Sequence, residues 1–106
     1  MEFKEVIAAV VRRGDEYAKE YQVSIDKTWA LLKLTEEVGE FMQSVLVHER
    51  KSRPSKFLPP EQSKEEVGKE LADVVGMAII CASHYDIDLE DALKKKWIDR
   101  KPTTNN

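Results

Sequence analysis

The sequence predicts an all-α protein, a bundle of four or five helices packed antiparallel. Through long stretches of the chain, apolar residues recur at i, i+3, i+4 and i+7, the spacing of helices that bury one face. The prolines lie outside those stretches, at Pro54, Pro59, Pro60 and Pro102. No segment alternates apolar and polar residues as a half-buried strand does. Long helices with short connections pack as antiparallel neighbours, so a helical bundle is expected.

The periodic segments place the helices along the chain. The first is predicted at about residues 2–22 and the second at about 26–51, with residues 52–62 as a loop. A third helix is expected to begin at Ser63, and a short fourth to end near Arg100. Residues that commonly cap helices support these starts; they are Asp26, Ser63 with Glu66, and Asp88 with Asp91.

Size and composition limit the class of protein. The chain has 106 residues and a mass of 12.2 kDa, which predicts a single domain, residues 1–106, with residues 102–106 as a loose tail. Its 17 basic and 20 acidic side chains give a net charge of −3, which argues against a nucleic-acid polymer or an anionic membrane as partner. With no apolar run of about 20 residues and no signal peptide, a cytoplasmic location is expected.

Two pairs of acidic residues share one sequence context. Glu37 and Glu40 form the first pair, and Glu70 and Asp73 form the second, each with a spacing of three. The apolar positions around the two pairs match when Glu37 is aligned with Glu70. At about 100° per residue, the first acid of each pair lies at the edge of an apolar stripe, and the second lies about 60° further round. If the two stripes face one core, the four carboxylates converge on one seam.

Converging carboxylates repel one another and favour a cation. An acid pair at this spacing is more often a solvated helix face, but its repetition in the same register on two helices favours a site. Mg²⁺ takes oxygen ligands and binds carboxylates together with substrate phosphates, and Mn²⁺ is expected to substitute. A di-iron site is disfavoured, since such bundles use Glu-x-x-His on two helices and neither pair contains histidine.

Four further residues are candidates for holding a phosphorylated ligand. Lys96 and Arg100 share the apolar face of the fourth helix and are candidates for phosphate oxygens, although cations near a helix C-terminus are also favourable without a ligand. Lys33 lies beside Glu37, where it pairs with the acids or reaches a phosphate. Trp29, about two turns earlier, is a candidate for stacking on a base.

With these residues in view, the chain resembles the MazG-like all-α nucleoside triphosphate pyrophosphohydrolases. The signature of that family is ExxE followed after a gap by ExxD, matched here by residues 37–40 and 70–73. The surrounding segments LLKLTEEVGEFMQS, GKELADVVGMAII and DIDLEDALKKKWIDRKP are similar as well. The resemblance covers roughly residues 30–101 and implies the fold of the all-α pyrophosphohydrolases.

The resemblance also implies an activity and its machinery. It implies Mg²⁺-dependent hydrolysis of a (deoxy)nucleoside triphosphate between the α and β phosphates, for nucleotide-pool housecleaning, by a homodimer or homotetramer. The metal ligands that it implies are Glu37, Glu40, Glu70 and Asp73. Glu36 and Glu37 are the expected catalytic carboxylates, with Glu36 orienting or deprotonating the attacking water. Lys96 and Arg100 are expected to hold the outer phosphates.

Two other functions fit the same resemblance. Phosphoribosyl-ATP pyrophosphohydrolase of histidine synthesis shares the architecture and differs in substrate. A non-catalytic helical interaction module on the same fold would keep the helices without a working metal site. The sequence leaves the preferred base and sugar, the number of metal ions and the choice between dimer and tetramer open.

Overall fold

The computed structural model describes residues 1–100, which are helical apart from short connections and contain no strand. The elements in chain order are α1 (Phe3–Tyr21), α2 (Lys27–His48), a 3₁₀ turn (Pro54–Lys56), α3 (Pro60–His84), α4 (Leu89–Leu93) and a π-helical turn (Lys94–Ile98). This confirms the predicted all-α class. The predicted loose tail, residues 102–106, lies outside the described residues.

Two of the predicted helix starts are confirmed by their caps. The Asp26 carboxylate accepts a hydrogen bond from the Trp29 backbone N–H at 2.8 Å, and α2 begins at the next residue. The Asp88 carboxylate accepts one from the Asp91 backbone N–H at 3.0 Å at the start of α4. Both side chains satisfy N–H groups that have no partner within their own helix.

The predicted start of α3 at Ser63 is wrong, because the helix begins three residues earlier at Pro60. Proline suits the first helical position, where its missing N–H costs no hydrogen bond. Ser63 is buried within the first turn; its hydroxyl donates to the Pro60 carbonyl at 3.0 Å and lies 2.7 Å from His48 Nδ1. The contact joins the end of α2 to the start of α3.

The α2–α3 pair forms the main packing interface, and α1 packs against α3. The two long helices run antiparallel, because His48 near the end of α2 meets Ser63 near the start of α3. Gly14 is suited to the α1–α3 contact, since a Cβ at this position would lie 3.1 Å from the Ile80 Cδ1 atom. As a result, α1 lies along one side of the α2–α3 pair.

Several large apolar side chains on α2 and α3 stay exposed to solvent. On the helical wheel they lie on the side of the α2–α3 pair away from the acidic residues. We call this surface the outer apolar face; its members are Leu31, Val38 and Met42 of α2 and Leu71 and Val75 of α3, exposed by 41–50%. Within residues 1–100, no helix is both long enough and apolar enough to cross a membrane.

Candidate metal centre

The two acidic pairs meet on neighbouring helices. Carboxylate oxygens of Glu37, Glu70 and Asp73 lie within 4.8 Å of one another, and the same limit holds for Glu36, Glu37 and Glu40. Glu37 belongs to both groups, so the five residues form one cluster, which we call the acidic seam. The structure therefore brings together the four predicted metal ligands and the neighbouring Glu36.

Glu37 is the most enclosed member of the acidic seam. The residue is 7% exposed, and its Oε2 atom is buried without a hydrogen-bond partner among the described residues. Burial raises the pKa of Glu37, and the neighbouring carboxylate of Glu40 and the charge of Asp73 raise it further. The positive charge of Lys33 acts in the opposite direction.

Glu70 repeats this situation on α3. Its Oε2 atom is also buried and unpartnered within the described chain. Desolvation raises the pKa of Glu70, and the charges of Glu40, Asp73 and Glu66 add to the effect. A buried oxygen with no donor is costly, so both helices offer the seam an unsatisfied acceptor.

Lys33 is the cation that the structure pairs with the seam. Its Nζ atom lies 2.9 Å from Glu36 Oε1 and 3.6 Å from Glu37 Oε1. The hydrogen bond with Glu36 raises the pKa of Lys33, so the lysine remains charged. Within residues 1–100, Lys33 is the one cation that forms an ion pair with any of the five carboxylates of the seam. An all-oxygen donor set with two unpartnered buried oxygens fits a hard divalent cation such as Mg²⁺.

A cavity of about 450 Å³ adjoins the seam on the side of α1. Glu37 and Asp73 line it together with Trp29, the predicted base-stacking residue. Tyr17 and Arg13 of α1 line it as well, and the Tyr17 and Trp29 ring centroids are 6.4 Å apart. We call this space the aromatic cavity. Sequence reasoning missed both α1 residues, because the position of α1 beside the seam depends on tertiary packing.

A larger cavity of about 810 Å³ lies on the other side of the seam. Glu40 and Glu70 line its wall at the seam, and Lys56 comes from the connection between α2 and α3. We call this space the loop cavity. Because different residues of the acidic seam line the two cavities, the seam lies between the aromatic cavity and the loop cavity.

Lys96 and Arg100 are not brought to the seam within a single chain. Both are exposed, line neither cavity and make no hydrogen bond or ion pair within residues 1–100. The segment that carries them packs mainly on itself, through contacts between α4 and the π-helical turn. Its apolar residues Trp97 and Ile98 are 78% and 74% exposed.

One comparison with known proteins found a match to this chain. The sequence model of the MazG nucleotide pyrophosphohydrolase domain matches residues 26–105, about three quarters of the chain. The match includes both acidic pairs and excludes α1. No curated protein and no solved structure shows significant similarity to the chain.

Proposed function

Because the chain belongs to the MazG nucleotide pyrophosphohydrolase family, we propose that it hydrolyses a (deoxy)nucleoside triphosphate between the α and β phosphates. The products are the nucleoside monophosphate and pyrophosphate. The observation that carries the proposal is the acidic seam, with unpartnered buried oxygens on Glu37 and Glu70, beside a cavity with aromatic walls. We assign this activity to housecleaning of surplus or non-standard nucleotides in the cytoplasm.

The metal in this proposal is Mg²⁺, with Mn²⁺ as a substitute. Glu37, Glu40, Glu70 and Asp73 would hold it, and each has a carboxylate oxygen in the seam. When bound, the cation neutralises phosphate charge and makes water a stronger nucleophile. Titration of the metal-free protein with Mg²⁺ measures the number of ions that bind.

Glu36 is the seam carboxylate outside the proposed metal ligands, and it handles the proton. Glu36 is exposed, and only its Oε1 atom is held by Lys33, so its other oxygen accepts the proton of the attacking water. The water oxygen bonds to the α phosphorus as the bond from this phosphorus to the oxygen that bridges the α and β phosphates breaks. Pyrophosphate leaves with the electron pair of that bond. Glu37, fixed by burial, keeps the water and the phosphate aligned.

The nucleoside end of the substrate belongs in the aromatic cavity. Trp29 offers a ring face for stacking on the base, and Tyr17, whose ring centroid lies 6.4 Å from that of Trp29, lines the same space beside it. The Arg13 side chain lines this cavity and supplies hydrogen-bond donors to the base or sugar. The reacting phosphate then lies at the seam.

A homodimer or homotetramer is the proposed working form. The outer apolar face is a set of half-exposed leucine, valine and methionine side chains that a second copy would bury. In such an assembly, Lys96 and Arg100 reach the phosphates across a subunit boundary or after the α4 segment docks. Light scattering at several protein concentrations measures this state, and Met42→Glu on the outer apolar face is expected to dissociate it.

A panel of standard and damaged triphosphates tests the activity. We expect release of pyrophosphate and not of single phosphates, dependent on Mg²⁺ or Mn²⁺, and lost in Glu40→Gln and Asp73→Asn. Glu65→Gln is the matched control, since Glu65 is exposed on α3 outside the seam. If the full panel yields no pyrophosphate with either metal, the proposal is wrong.

The two alternatives have their own outcomes in the same experiments. Turnover of phosphoribosyl-ATP, with none of the triphosphates, would identify the histidine-synthesis enzyme. Absence of turnover together with no thermal stabilisation by several millimolar Mg²⁺ would identify a non-catalytic interaction module.

A further inference from the structure

The loop cavity has walls of opposite charge. Glu40, Glu66 and Glu70 line it from the two long helices. Lys56 is the one basic side chain that lines it within the described residues. No ion pair within 4 Å joins Lys56 to any of these acids in the described part of the chain. The cavity therefore has a cation on one wall and carboxylates on the other, with space between them.

The connection that carries Lys56 has a defined backbone. The Lys56 N–H donates to the Arg53 carbonyl at 2.9 Å, and the Phe57 N–H donates to the Pro54 carbonyl at 3.0 Å. The Arg50 guanidinium lies 4.9 Å from the centroid of the Phe57 ring, which ties the two ends of the connection together. Lys56 is thus presented from a short 3₁₀ turn.

Hydroxyl groups accompany the lysine. Ser52 and Ser55 also line the loop cavity, and within residues 1–100 neither side chain makes a hydrogen bond. Ser44 and Ser63, which line the same space, already donate to backbone carbonyls. A lysine with two uncommitted hydroxyls is a donor set for an anion such as a phosphate group.

We propose that the loop cavity binds the two outer phosphates of the substrate and retains them as pyrophosphate after cleavage, with Lys56 as the main contact. This inference rests on the proposed function. With the nucleoside in the aromatic cavity and the outer phosphates in the loop cavity, the acidic seam falls at the bond between the α and β phosphates. A cation held at the seam would offset the charge of Glu40 and Glu70 on the carboxylate wall of the loop cavity.

Binding of pyrophosphate, measured by calorimetry with Mg²⁺, tests the inference without any turnover. We expect Lys56→Ala to weaken this binding about tenfold, as expected for loss of one charge-assisted hydrogen bond, and Lys56→Arg to restore most of it. Lys51→Ala is the matched control, because Lys51 is an exposed lysine of the same connection that does not line the cavity. Binding of the nucleoside monophosphate is expected to stay unchanged in all three variants.

Three results would overturn the inference. The first is that Lys56→Ala binds pyrophosphate with an affinity within twofold of that of the unmodified protein. The second is that Lys51→Ala loses as much affinity for pyrophosphate as Lys56→Ala does. The third is that Lys56→Ala loses as much affinity for the nucleoside monophosphate as for pyrophosphate. Each can occur while triphosphates are still hydrolysed, in which case the proposed activity stands alone. Conversely, Lys56-dependent pyrophosphate binding by a protein that hydrolyses no triphosphate would refute the activity and keep the site. Unchanged circular dichroism shows that Lys56→Ala folds.

Discussion

The Glu37→Gln substitution tests the electrostatics of the acidic seam, because it removes one buried charge and keeps the shape of the side chain. Two unit charges 4.8 Å apart, the outer limit in this cluster, repel by about 1 kcal/mol in water and about 3.5 kcal/mol at an effective dielectric constant of 20. The attraction between Glu37 and Lys33, which lie 3.6 Å apart, offsets the repulsion from about one neighbouring carboxylate. Repulsion from at least two other carboxylates remains. We expect the metal-free variant to be about 1–2 kcal/mol more stable.

Thermal unfolding in a chelator and in Mg²⁺ measures this effect. A gain of 1 kcal/mol raises the Tm of a domain of this size by about 4–8 °C. Mg²⁺ should stabilise the unmodified protein by mass action and have little effect on Glu37→Gln. Glu65→Gln, with the same change in charge outside the seam, is expected to change stability by less than about 0.5 kcal/mol. A Glu37→Gln protein less stable than its parent in chelator would show that Glu37 is a structural ion-pair partner, and would refute the reasoning.

The pH dependence of the metal-free protein follows from the same repulsion. Burial raises the pKa of Glu37 and Glu70 in the folded state, whereas the unfolded chain titrates in the ordinary glutamate range. As pH rises above that range, the unfolded state loses protons first, so the free energy of unfolding falls until pH passes the raised pKa values. Glu37→Gln should make this fall smaller, since one of the two groups no longer titrates.

Four further substitutions test the nucleotide-binding residues and the stability of α3. Trp29→Leu should weaken nucleotide binding while the thermal stabilisation by Mg²⁺ stays unchanged, and equal loss of both would show that Trp29 supports the seam itself. Lys96→Ala and Arg100→Ala should weaken triphosphate binding measured by calorimetry, again with the metal response intact; normal binding in both would remove them from the site. Gly68→Ala should raise the free energy of unfolding by about 0.5–1 kcal/mol, because alanine favours the helix interior more than glycine does. A Cβ at position 68 would have no heavy atom within 4 Å, so the added methyl group fits without a clash.

The helices and the convergence of the acids could be predicted because both depend on local periodicity. A spacing of three places Glu37 and Glu40 on one side of α2, as it places Glu70 and Asp73 on one side of α3. The shared register against matching apolar stripes then brings the pairs together, and the structure has them within 4.8 Å in overlapping groups. The caps at Asp26 and Asp88 are equally local and are confirmed.

The walls of the two cavities could not be predicted, because they come from non-local packing. Tyr17 reaches Trp29 only because α1 lies against α3, and Tyr17 alone has no feature that distinguishes it from a core residue. Lys56 is one of several basic residues in the connection, and its neighbourhood is decided by the 3₁₀ turn. The predicted start of α3 is wrong because the cap pattern at Ser63 resembles a helix start more strongly than Pro60 does.

The burial of Glu37 is hard to explain by stability alone. Six side chains among the described residues are buried, and one of them is this carboxylate with an unpartnered oxygen. An apolar residue of similar size would avoid the desolvation cost and the repulsion from the seam. A divalent cation bound at the seam would remove both penalties, because it would supply the missing partner and the opposite charge. The exposure of the outer apolar face is also unfavourable in a single chain, and a second copy would bury these side chains. Folding of this small domain is therefore expected to be coupled to both metal binding and assembly.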